Sequence, residues 1–256
     1  MIDPRAAVDA AAELDEGVSV GPFAVIGPGV RIGRGTTIGP HAVIRGPTTI
    51  GADNRIFQFA SVGEAPQDKK YGGEDTRLEI GDRNVIRECA TVHRGTVQDE
   101  GVTRIGNDGL FMAYTHVAHD CRIGDHVIMA NGATLAGHVV IEDHVILGGF
   151  TLVHQFCCIG AHSFTAMGSA IGKDVPPYLM VSGNPAKPHG INTEGLKRRG
   201  FTAEQLKVLK AAYRVLYLSG LKLEEARLRL DEMSAGAPEA GRLAEFLVRS
   251  RRSIVR

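Results

Sequence analysis

The sequence predicts a parallel β-solenoid over residues 1–190 and a small helical domain over residues 191–256. Three observations lead to this fold class: an apolar residue at every sixth position, 32 glycines among 256 residues with no tryptophan, and a change to helical spacing near the C-terminus. A period of six matches neither the 3.6 residues of a helix turn nor the two of a simple strand. It suits a coil of triangular cross-section, in which each face adds a short strand with one aliphatic side chain directed to the axis.

The residues that recur at this spacing, which we name the hexad positions, are apolar in 24 of 25 cases, although the hydrophobic content is only 43%. Three hexads make a coil of 18 residues, and successive coils stack at the strand spacing of about 4.8 Å. Glycine follows a hexad position 12 times, and we expect it to supply a permissive backbone at the corners. The hexad positions are Val8, Leu14, Val20, Ile26, Ile32, Ile38, Ile44, Ile50, Ile56, Val62, Ile80, Ile86, Val92, Ile105, Phe111, Val117, Ile123, Met129, Leu135, Ile141, Leu147, Val153, Ile159, Thr165 and Ile171.

Two interruptions of the repeat predict loops at about 63–79 and 94–104. In the first, the sixfold count falls on Asp68 and Glu74, which cannot face an apolar core. In the second, the count slips by one residue between Val92 and Ile105. Loops that leave a regular scaffold frequently carry functional residues.

The repeat stops after Ile171, and a segment rich in proline and glycine follows at 175–190. Thr202 and Gln205 then form a capping box, the signature of a helix start. Apolar residues at helical spacing predict two helices, and 241–256 predicts a third. The helical positions are Leu206, Leu209, Tyr213 and Leu216, and then Leu223, Ala226, Leu230 and Met233.

Composition excludes several functional classes. Basic and acidic side chains number 29 each, so the chain lacks the positive charge of a non-specific nucleic-acid binder. No apolar run reaches the roughly 18 residues of a membrane-spanning helix, and the N-terminus lacks the apolar stretch of a signal peptide. The four cysteines show no CxxC spacing. These features predict a cytoplasmic protein without disulfides or metal.

The hexad repeat resembles that of the left-handed parallel β-helix acyltransferases, which are typically homotrimers with active sites between subunits. Outside the repeat, the sequence is similar to the UDP-N-acetylglucosamine acyltransferase family, which catalyses the first step of lipid A biosynthesis. The resemblance covers essentially the whole chain. It is carried by the segments GEAPQDKKYGGEDTRLEIGDRNVIRECATVHRGT, THVAHDCRIGDHVIMANGATLAGHV, VHQFCCIGAHSF and GNPAKPHGINTEGLKRRGF.

The resemblance implies transfer of an R-3-hydroxyacyl group from acyl carrier protein to the 3-hydroxyl of UDP-N-acetylglucosamine. The resemblance also implies that the acyl group is carried as a thioester on the phosphopantetheine of the carrier protein, and that the enzyme binds no cofactor of its own. His119 matches the general base, a role that suits imidazole because its ordinary pKa is near 6.5. Asp120 matches the acid that orients this base, and the backbone N–H of Gly137 matches the oxyanion donor.

Further site residues follow from the same resemblance. His116, His138 and His154 are expected to contact sugar, diphosphate or acyl chain, and His93 and His154 directly follow hexad positions and should point outward. His119 and His138 are 19 residues apart, which predicts neighbouring coils. The remaining substrate-binding residues are Gln67, Asp68 and Lys70 in the first loop, Gln155 in the VHQF segment, and Asn192, Glu194, Arg198 and Arg199 for nucleotide and diphosphate.

Met167, in the segment FTAMGSAIG, occupies a position that resembles the family's hydrocarbon ruler. Long-chain enzymes have glycine there, so a methionine side chain predicts a shorter acyl chain of about C10–C12.

Four alternatives stay open at this stage. The acceptor could carry a 3-amine in place of the 3-hydroxyl. The later N-acylating enzyme of the pathway has an extra N-terminal domain, for which a repeat beginning at Val8 leaves no room. A zinc carbonic anhydrase of this fold would use three histidines, for which His93, His116 and His119 are the candidates, although their spacings do not fit. A purely structural or binding solenoid would need neither the outward histidines nor the QDKKY loop.

Overall fold

The computed structural model describes all 256 residues, as 27 short strands followed by four helices. In chain order the strands are β1 (Ala7–Val8), β2 (Glu13–Leu14), β3 (Ser19–Val20), β4 (Val25–Ile26), β5 (Val30–Ile32), β6 (Thr37–Ile38), β7 (Val43–Ile44), β8 (Thr48–Ile50), β9 (Arg55–Ile56), β10 (Ser61–Glu64), β11 (Arg77–Ile80), β12 (Val85–Ile86), β13 (Thr91–His93), β14 (Val102–Ile105), β15 (Leu110–Phe111), β16 (His116–Val117), β17 (Arg122–Ile123), β18 (Ile128–Met129), β19 (Thr134–Leu135), β20 (Val140–Ile141), β21 (Ile146–Leu147), β22 (Leu152–Val153), β23 (Cys158–Ile159), β24 (Phe164–Thr165), β25 (Ala170–Ile171), β26 (Leu179–Gly183) and β27 (Ala186–Ile191).

As far as β25, every third strand belongs to the same sheet, so the chain winds around three sheets of nine, eight and ten strands that are parallel except for β27. The nine-stranded sheet begins with β1, the eight-stranded with β2 and the ten-stranded with β3. We name the corners between them by the sheets they join, in chain direction: the 9/8, 8/10 and 10/9 corners. Pairing is in register from coil to coil, as in Ile26↔Ile44 and Ile44↔Val62, so hexad residues lie above one another.

The hexad residues form the core. A cluster of 40 buried apolar residues runs the length of the solenoid and includes nearly all of them. The one polar hexad residue, Thr165, is fully buried and shares a 2.7 Å hydrogen bond with the Thr151 hydroxyl. A buried hydroxyl is tolerated there because it has a partner.

Glycine was expected to supply a permissive backbone at the corners, and the structure gives it a different role. The residue three positions before most hexad positions adopts the left-handed conformation, and it is mostly not glycine, as at Asp120 (φ 58°) and His138 (φ 61°). The glycines after hexad positions have a different cause. A Cβ at Gly33 would lie 2.6 Å from the carbonyl carbon of Gly51 on the next coil. These glycines therefore permit close stacking of coils, whereas polar and aromatic residues accept the strained corner.

Both loops leave the solenoid at the 9/8 corner, although their bounds differ from those expected. Strands β11 and β14 begin earlier than the hexad positions suggest, so the loops span 65–76 and 94–101. The two loops contact each other through Arg94, whose Nη2 donates to the Tyr71 hydroxyl at 3.1 Å. They therefore form one wall beside this corner.

The solenoid also continues past the point where the repeat stops. Val175 forms a parallel bridge with Ile159, and Val181 of β26 pairs with Thr165, so a last coil closes with a shortened spacing. β26 and β27 then form an antiparallel hairpin. The hexad count missed this coil because its spacing is 16 residues.

Four helices follow: α1 (Thr193–Arg198), α2 (Ala203–Tyr217), α3 (Leu223–Ser234) and α4 (Pro238–Arg249). The capping box of Thr202 and Gln205 is present at the start of α2. The helix expected over 241–256 instead begins at Pro238 and ends at Arg249, and the tail beyond it lies along the last coil, where Ile254 bridges to Asp174. Proline at the first helical position suits a helix start. None of the four helices has the length and apolar content that crossing a bilayer requires.

Candidate active site

His119 and Asp120 are the two turn residues of one coil at the 9/8 corner, between β16 and β17. The His119 Nδ1 atom lies 2.8 Å from Asp120 Oδ2. The imidazole is partly exposed to the groove, whereas the carboxylate is buried. With Nδ1–H donating to the carboxylate, the other ring nitrogen is left as a proton acceptor.

Asp120 is held by the second loop. Both its oxygens accept hydrogen bonds from Thr96, at 2.8 Å from the backbone N–H and 2.6 Å from the hydroxyl. Its own N–H donates to Thr103 Oγ1 at 2.8 Å. Burial alone would raise the pKa of Asp120, but the hydrogen bonds from His119 and Thr96 outweigh it and lower the pKa. The carboxylate therefore stays ionised beside the imidazole.

One coil further on, Gly137 and His138 occupy the same two turn positions. The ring of His119 lies against Gly137, where an added Cβ would be 2.4 Å from the His119 Cε1 atom. The Gly137 N–H makes no hydrogen bond within the chain. The His138 ring packs edge-on to His119 at 5.1 Å and stacks on Phe156 at 4.5 Å. The expectation that His119 and His138 are neighbours is confirmed.

A groove of about 1120 Å³ runs from these residues along the eight-stranded face. The first loop lines it through three residues expected to bind substrate, and Gln155 joins them from the same corner, one coil beyond His138. Basic side chains from the first loop and from the C-terminal end of the chain line it together with four carboxylates, so it offers partners to phosphate oxygens and to hydroxyls. Its lining includes Gln67, Asp68, Lys69, Lys70, Asp99, Arg122, Gln155, Phe156, Cys158, Asp174, Arg249 and Arg251.

His93 and His116 lie outside this groove, on the nine-stranded face. Their rings meet edge-on at 4.9 Å, and the Thr91 hydroxyl is 2.7 Å from His116 Nδ1. The sequence predicts that His93 points away from the core, yet only 3% of the residue is accessible. Its side chain leaves the core yet is buried where the strand passes into the second loop, and burial together with nearby His116 lowers its pKa to about 4. Burial also lowers the pKa of His116.

His154 is exposed at the end of β22, with its Nδ1 atom 3.1 Å from the Gln155 carbonyl. It does not line the groove, although Gln155 beside it does. The two residues therefore face different parts of the 9/8 corner.

The residues expected to contact nucleotide lie at a different corner, the 8/10 corner. Asn192 caps α1 by accepting from the Gly195 N–H and donates to the His162 carbonyl at 3.0 Å. Arg199 is half-buried and donates to the His144 carbonyl at 3.0 Å. Glu194 is exposed and pairs with Lys197, and Arg198 lies beside them in α1. Within one chain, the structure does not bring this group to His119.

Met167 lies at the third corner, in the 10/9 turn between β24 and β25, and is 77% exposed. The nearest turn residues below it on the same corner include Gly149. The expected base, nucleotide contacts and acyl ruler therefore occupy three separate corners of one solenoid.

Several residues of the site were not expected from the sequence: the groove residues Asp99, Arg122 and Phe156, and Thr96 behind Asp120. Thr96 and Asp99 lie in a loop without a repeat, so no spacing predicts where they point. Arg122 pairs with Asp99 at 3.0 Å. Phe156 carries a usable signal, since it occupies the same corner position as Asp120 and His138 in successive coils.

One group of side chains could hold a metal ion, namely His119, Asp120 and His138, whose ligand atoms lie within 4.8 Å of one another. The three histidines considered for a zinc carbonic anhydrase, His93, His116 and His119, form no such group.

A parallel β-helix built on hexads, with a histidine–aspartate pair and a long groove at one corner, defines a hexapeptide-repeat transferase. In agreement, a family model described as bacterial transferase hexapeptide (six repeats) matches residues 11–46 and 103–137. A second, described as UDP N-acetylglucosamine O-acyltransferase, domain 2, matches residues 174–255. The chain belongs to the acyl-[acyl-carrier-protein]–UDP-N-acetylglucosamine O-acyltransferase family, and its coils form a left-handed parallel β-helix.

Known relatives match along their whole length. The family's protein from Janthinobacterium sp. (strain Marseille) is 58% identical, with 100% of this chain and 99% of the relative covered. The protein from Thiobacillus denitrificans is 57% identical with the same coverage. The solved Francisella novicida UDP-N-acetylglucosamine acyltransferase is 46% identical with a TM-score of 0.98, covering 100% of this chain and 94% of that one. LpxA from Acinetobacter baumannii is 49% identical with a TM-score of 0.98, covering 100% and 99%. The chain is thus an acyltransferase.

Proposed function

We propose that this enzyme transfers an R-3-hydroxyacyl group from acyl carrier protein to the 3-hydroxyl of UDP-N-acetylglucosamine, the first step of lipid A biosynthesis in the cytoplasm. The observation that carries the proposal is the His119–Asp120 pair facing a long groove, in a chain that matches the family over its full length. No resident cofactor takes part, because the donor brings its own phosphopantetheine thioester.

His119 acts as the general base. Asp120 accepts a hydrogen bond from the Nδ1–H group, which leaves Nε2 free to take the proton of the sugar 3-hydroxyl as that oxygen attacks the thioester carbonyl. The buried carboxylate also stabilises the imidazolium that forms. The free N–H of Gly137, beside the His119 ring, is positioned to donate to the oxyanion of the tetrahedral intermediate. The proton then passes from His119 to the departing thiolate.

The sugar nucleotide is bound by residues from more than one corner. Gln67, Asp68, Lys70 and Gln155 line the same groove as His119 and are placed for hydroxyl and phosphate contacts. His93, His116, His138 and His154 surround the 9/8 corner and complete the walls for sugar and acyl chain.

Nucleotide and diphosphate contacts then come from Asn192, Glu194, Arg198 and Arg199 of another copy. Corners of one triangular solenoid cannot meet, whereas a second subunit can bring its 8/10 corner opposite the 9/8 corner of the first. A homotrimer with three such clefts satisfies this geometry for every subunit.

The acyl chain is of medium length, about C10–C12. Met167 projects its side chain from the 10/9 corner, where glycine would leave open space, and an unbranched thioether fills such space well. The Met167→Gly variant should therefore shift the preferred donor towards C14. An unchanged preference in this variant, or a C14 preference in the wild type, would show that Met167 does not set the length.

The deciding experiment is a transfer assay with UDP-N-acetylglucosamine and 3-hydroxyacyl carrier proteins of C10, C12 and C14. His119→Ala should lower kcat by about 10²–10⁴-fold, the usual contribution of a general base. His41→Asn is the matched control, because it removes an exposed histidine of the 10/9 corner and should leave kcat unchanged. Product only with the 3-amino sugar nucleotide would establish that analogue as the acceptor, and no product with either would refute the proposal.

A further inference from the structure

Three ligand atoms converge at the mouth of the groove. Asp120 Oδ2 lies 2.8 Å from His119 Nδ1 and 3.8 Å from His138 Nε2. All three atoms belong to side chains at adjacent turns of one corner, whose backbone is fixed by the coil-to-coil hydrogen bond from His138 N–H to the His119 carbonyl at 3.0 Å. Two imidazoles and a carboxylate therefore meet on a rigid part of the solenoid.

The separations suit a tetrahedral ion. With zinc–nitrogen and zinc–oxygen bonds of about 2.0–2.2 Å, tetrahedral ligand atoms lie about 3.3–3.5 Å apart. The distance from Asp120 Oδ2 to His119 Nδ1 is about half an ångström shorter than this value, and the distance to His138 Nε2 is about half an ångström longer. Small rotations of two partly exposed rings close the difference, and the groove leaves the fourth position open to water.

Two of these residues, His138 and Asp120, also have the outer partner that metal-ligating residues usually have. His138 Nδ1 lies 3.2 Å from Asp99 Oδ2, so the carboxylate orients Nε2 towards Asp120. The hydroxyl and N–H of Thr96 hold the Asp120 carboxylate from behind. A carboxylate on the far nitrogen of a ligating histidine fixes its tautomer and raises its basicity.

We propose that a divalent transition-metal ion such as Zn²⁺ binds His119, Asp120 and His138 and reversibly inhibits the transferase. The ion replaces the proton on His119 Nδ1, and the ring keeps its single proton on Nε2 instead. Because Nε2 is then a donor, it cannot accept the proton of an attacking hydroxyl. Imidazole ligands select ions such as Zn²⁺ or Co²⁺ over Mg²⁺, so magnesium should not compete. The inhibition, but not the binding, rests on the function proposed above.

Binding is measured first, on full-length enzyme stripped with a chelator and titrated with Co²⁺ under visible absorption. We expect one ion per chain, with the intense absorption of a tetrahedral or five-coordinate site. His138→Asn should weaken binding more than 100-fold, and Asp99→Asn by about 10–100-fold as an outer partner. His41→Asn should bind Co²⁺ like the wild type. Unchanged affinity in His138→Asn, or no cobalt spectrum in the wild type, would overturn the proposal.

Inhibition is measured next, by adding Zn²⁺ to the transfer assay and reversing it with excess chelator. The half-inhibitory concentration should rise in Asp99→Asn by the same factor as the cobalt affinity falls. Equal inhibition of Asp99→Asn and wild type would assign the effect to another site. If stripped enzyme shows no transfer while Co²⁺ still binds, the proposed function fails and the metal site stands.

Discussion

The contact between Gly137 and His119 provides the sharpest test of how the site is positioned. An alanine Cβ at 137 would lie 2.4 Å from His119 Cε1 and 2.6 Å from Nε2. Ordinary carbon contacts are about 3.5–4.0 Å, so the ring must retreat by about 1 Å. The 2.8 Å hydrogen bond from His119 to Asp120 cannot survive that shift unchanged.

A misplacement of this size costs about 10²-fold in rate, which corresponds to about 2.7 kcal/mol of barrier. Gly137→Ala should therefore lower kcat about 100-fold in the transfer assay. The backbone N–H is retained, so the loss reports the position of the base and not the oxyanion donor. Gly137 does not have a positive φ, so the substitution adds no left-handed strain and the melting temperature should change little.

Gly27→Ala is the matched control, because its nearest contact to an added Cβ is an ordinary 3.4 Å from the Ile44 carbonyl oxygen. It should leave both kcat and melting temperature essentially unchanged. A Gly137→Ala enzyme with kcat within threefold of the wild type would refute the positioning argument. A comparable loss in Gly27→Ala would assign the effect to glycine in the coils generally.

Three further predictions concern the supports of the site and the fold. Thr96→Val removes the hydrogen bond from the Thr96 hydroxyl to Asp120 but keeps the one from the backbone N–H. A hydrogen bond to a charged group contributes roughly 1.5–3 kcal/mol, so kcat should fall at least about tenfold. An unchanged kcat would show that the hydroxyl does not help to position Asp120. His162 has its pKa lowered to about 4 by burial and by neighbouring positive groups, so the unfolded chain binds more protons between pH 6.5 and 4. The melting temperature should therefore fall as the pH drops through that window, and less so in His162→Gln; parallel pH curves would contradict this. Asp174→Asn should detach the C-terminal tail from the last coil, because an amide nitrogen cannot accept the 2.7 Å hydrogen bond from the Ser250 hydroxyl. We expect faster trypsin cleavage in the tail and a lower melting temperature. A cleavage rate equal to that of the wild type would show that Asp174 does not hold the tail.

Much of the fold could be predicted because the hexad pattern repeats the same local information in every coil. Each hexad residue packs against its equivalents in the coils above and below, so the 24 apolar positions all favour the same alignment of one coil on the next. The pattern failed where the spacing changed. Val175 and Val181 continue the core at a distance of 16 residues, and the glycines after hexad positions serve coil stacking instead of the left-handed corner.

The site was predictable in part and for a different reason. His119, Asp120 and His138 are near one another because the 18-residue coil places residues 19 apart at one corner. The hydrogen bond from Thr96 to Asp120 joins residues 24 positions apart, and Thr96 lies in an irregular loop that follows no period. The burial of His93, whose ring meets that of His116 on the next coil, is likewise not encoded by strand alternation.

The sequence by itself determined the solenoid, the place of its two loops in the chain, and the pairing of His119 with its neighbours, because these depend on a period that is written in every coil. Only the tertiary structure decided where the residues outside the repeat lie. It placed Thr96 of the second loop against Asp120, and it placed Arg199, which follows the last coil, at the 8/10 corner. The reason is that His119 and Met167 belong to hexads that run unbroken from Ile105 to Ile171, so their relative corners follow by counting, whereas the loops and the chain after Ile171 have no period to count.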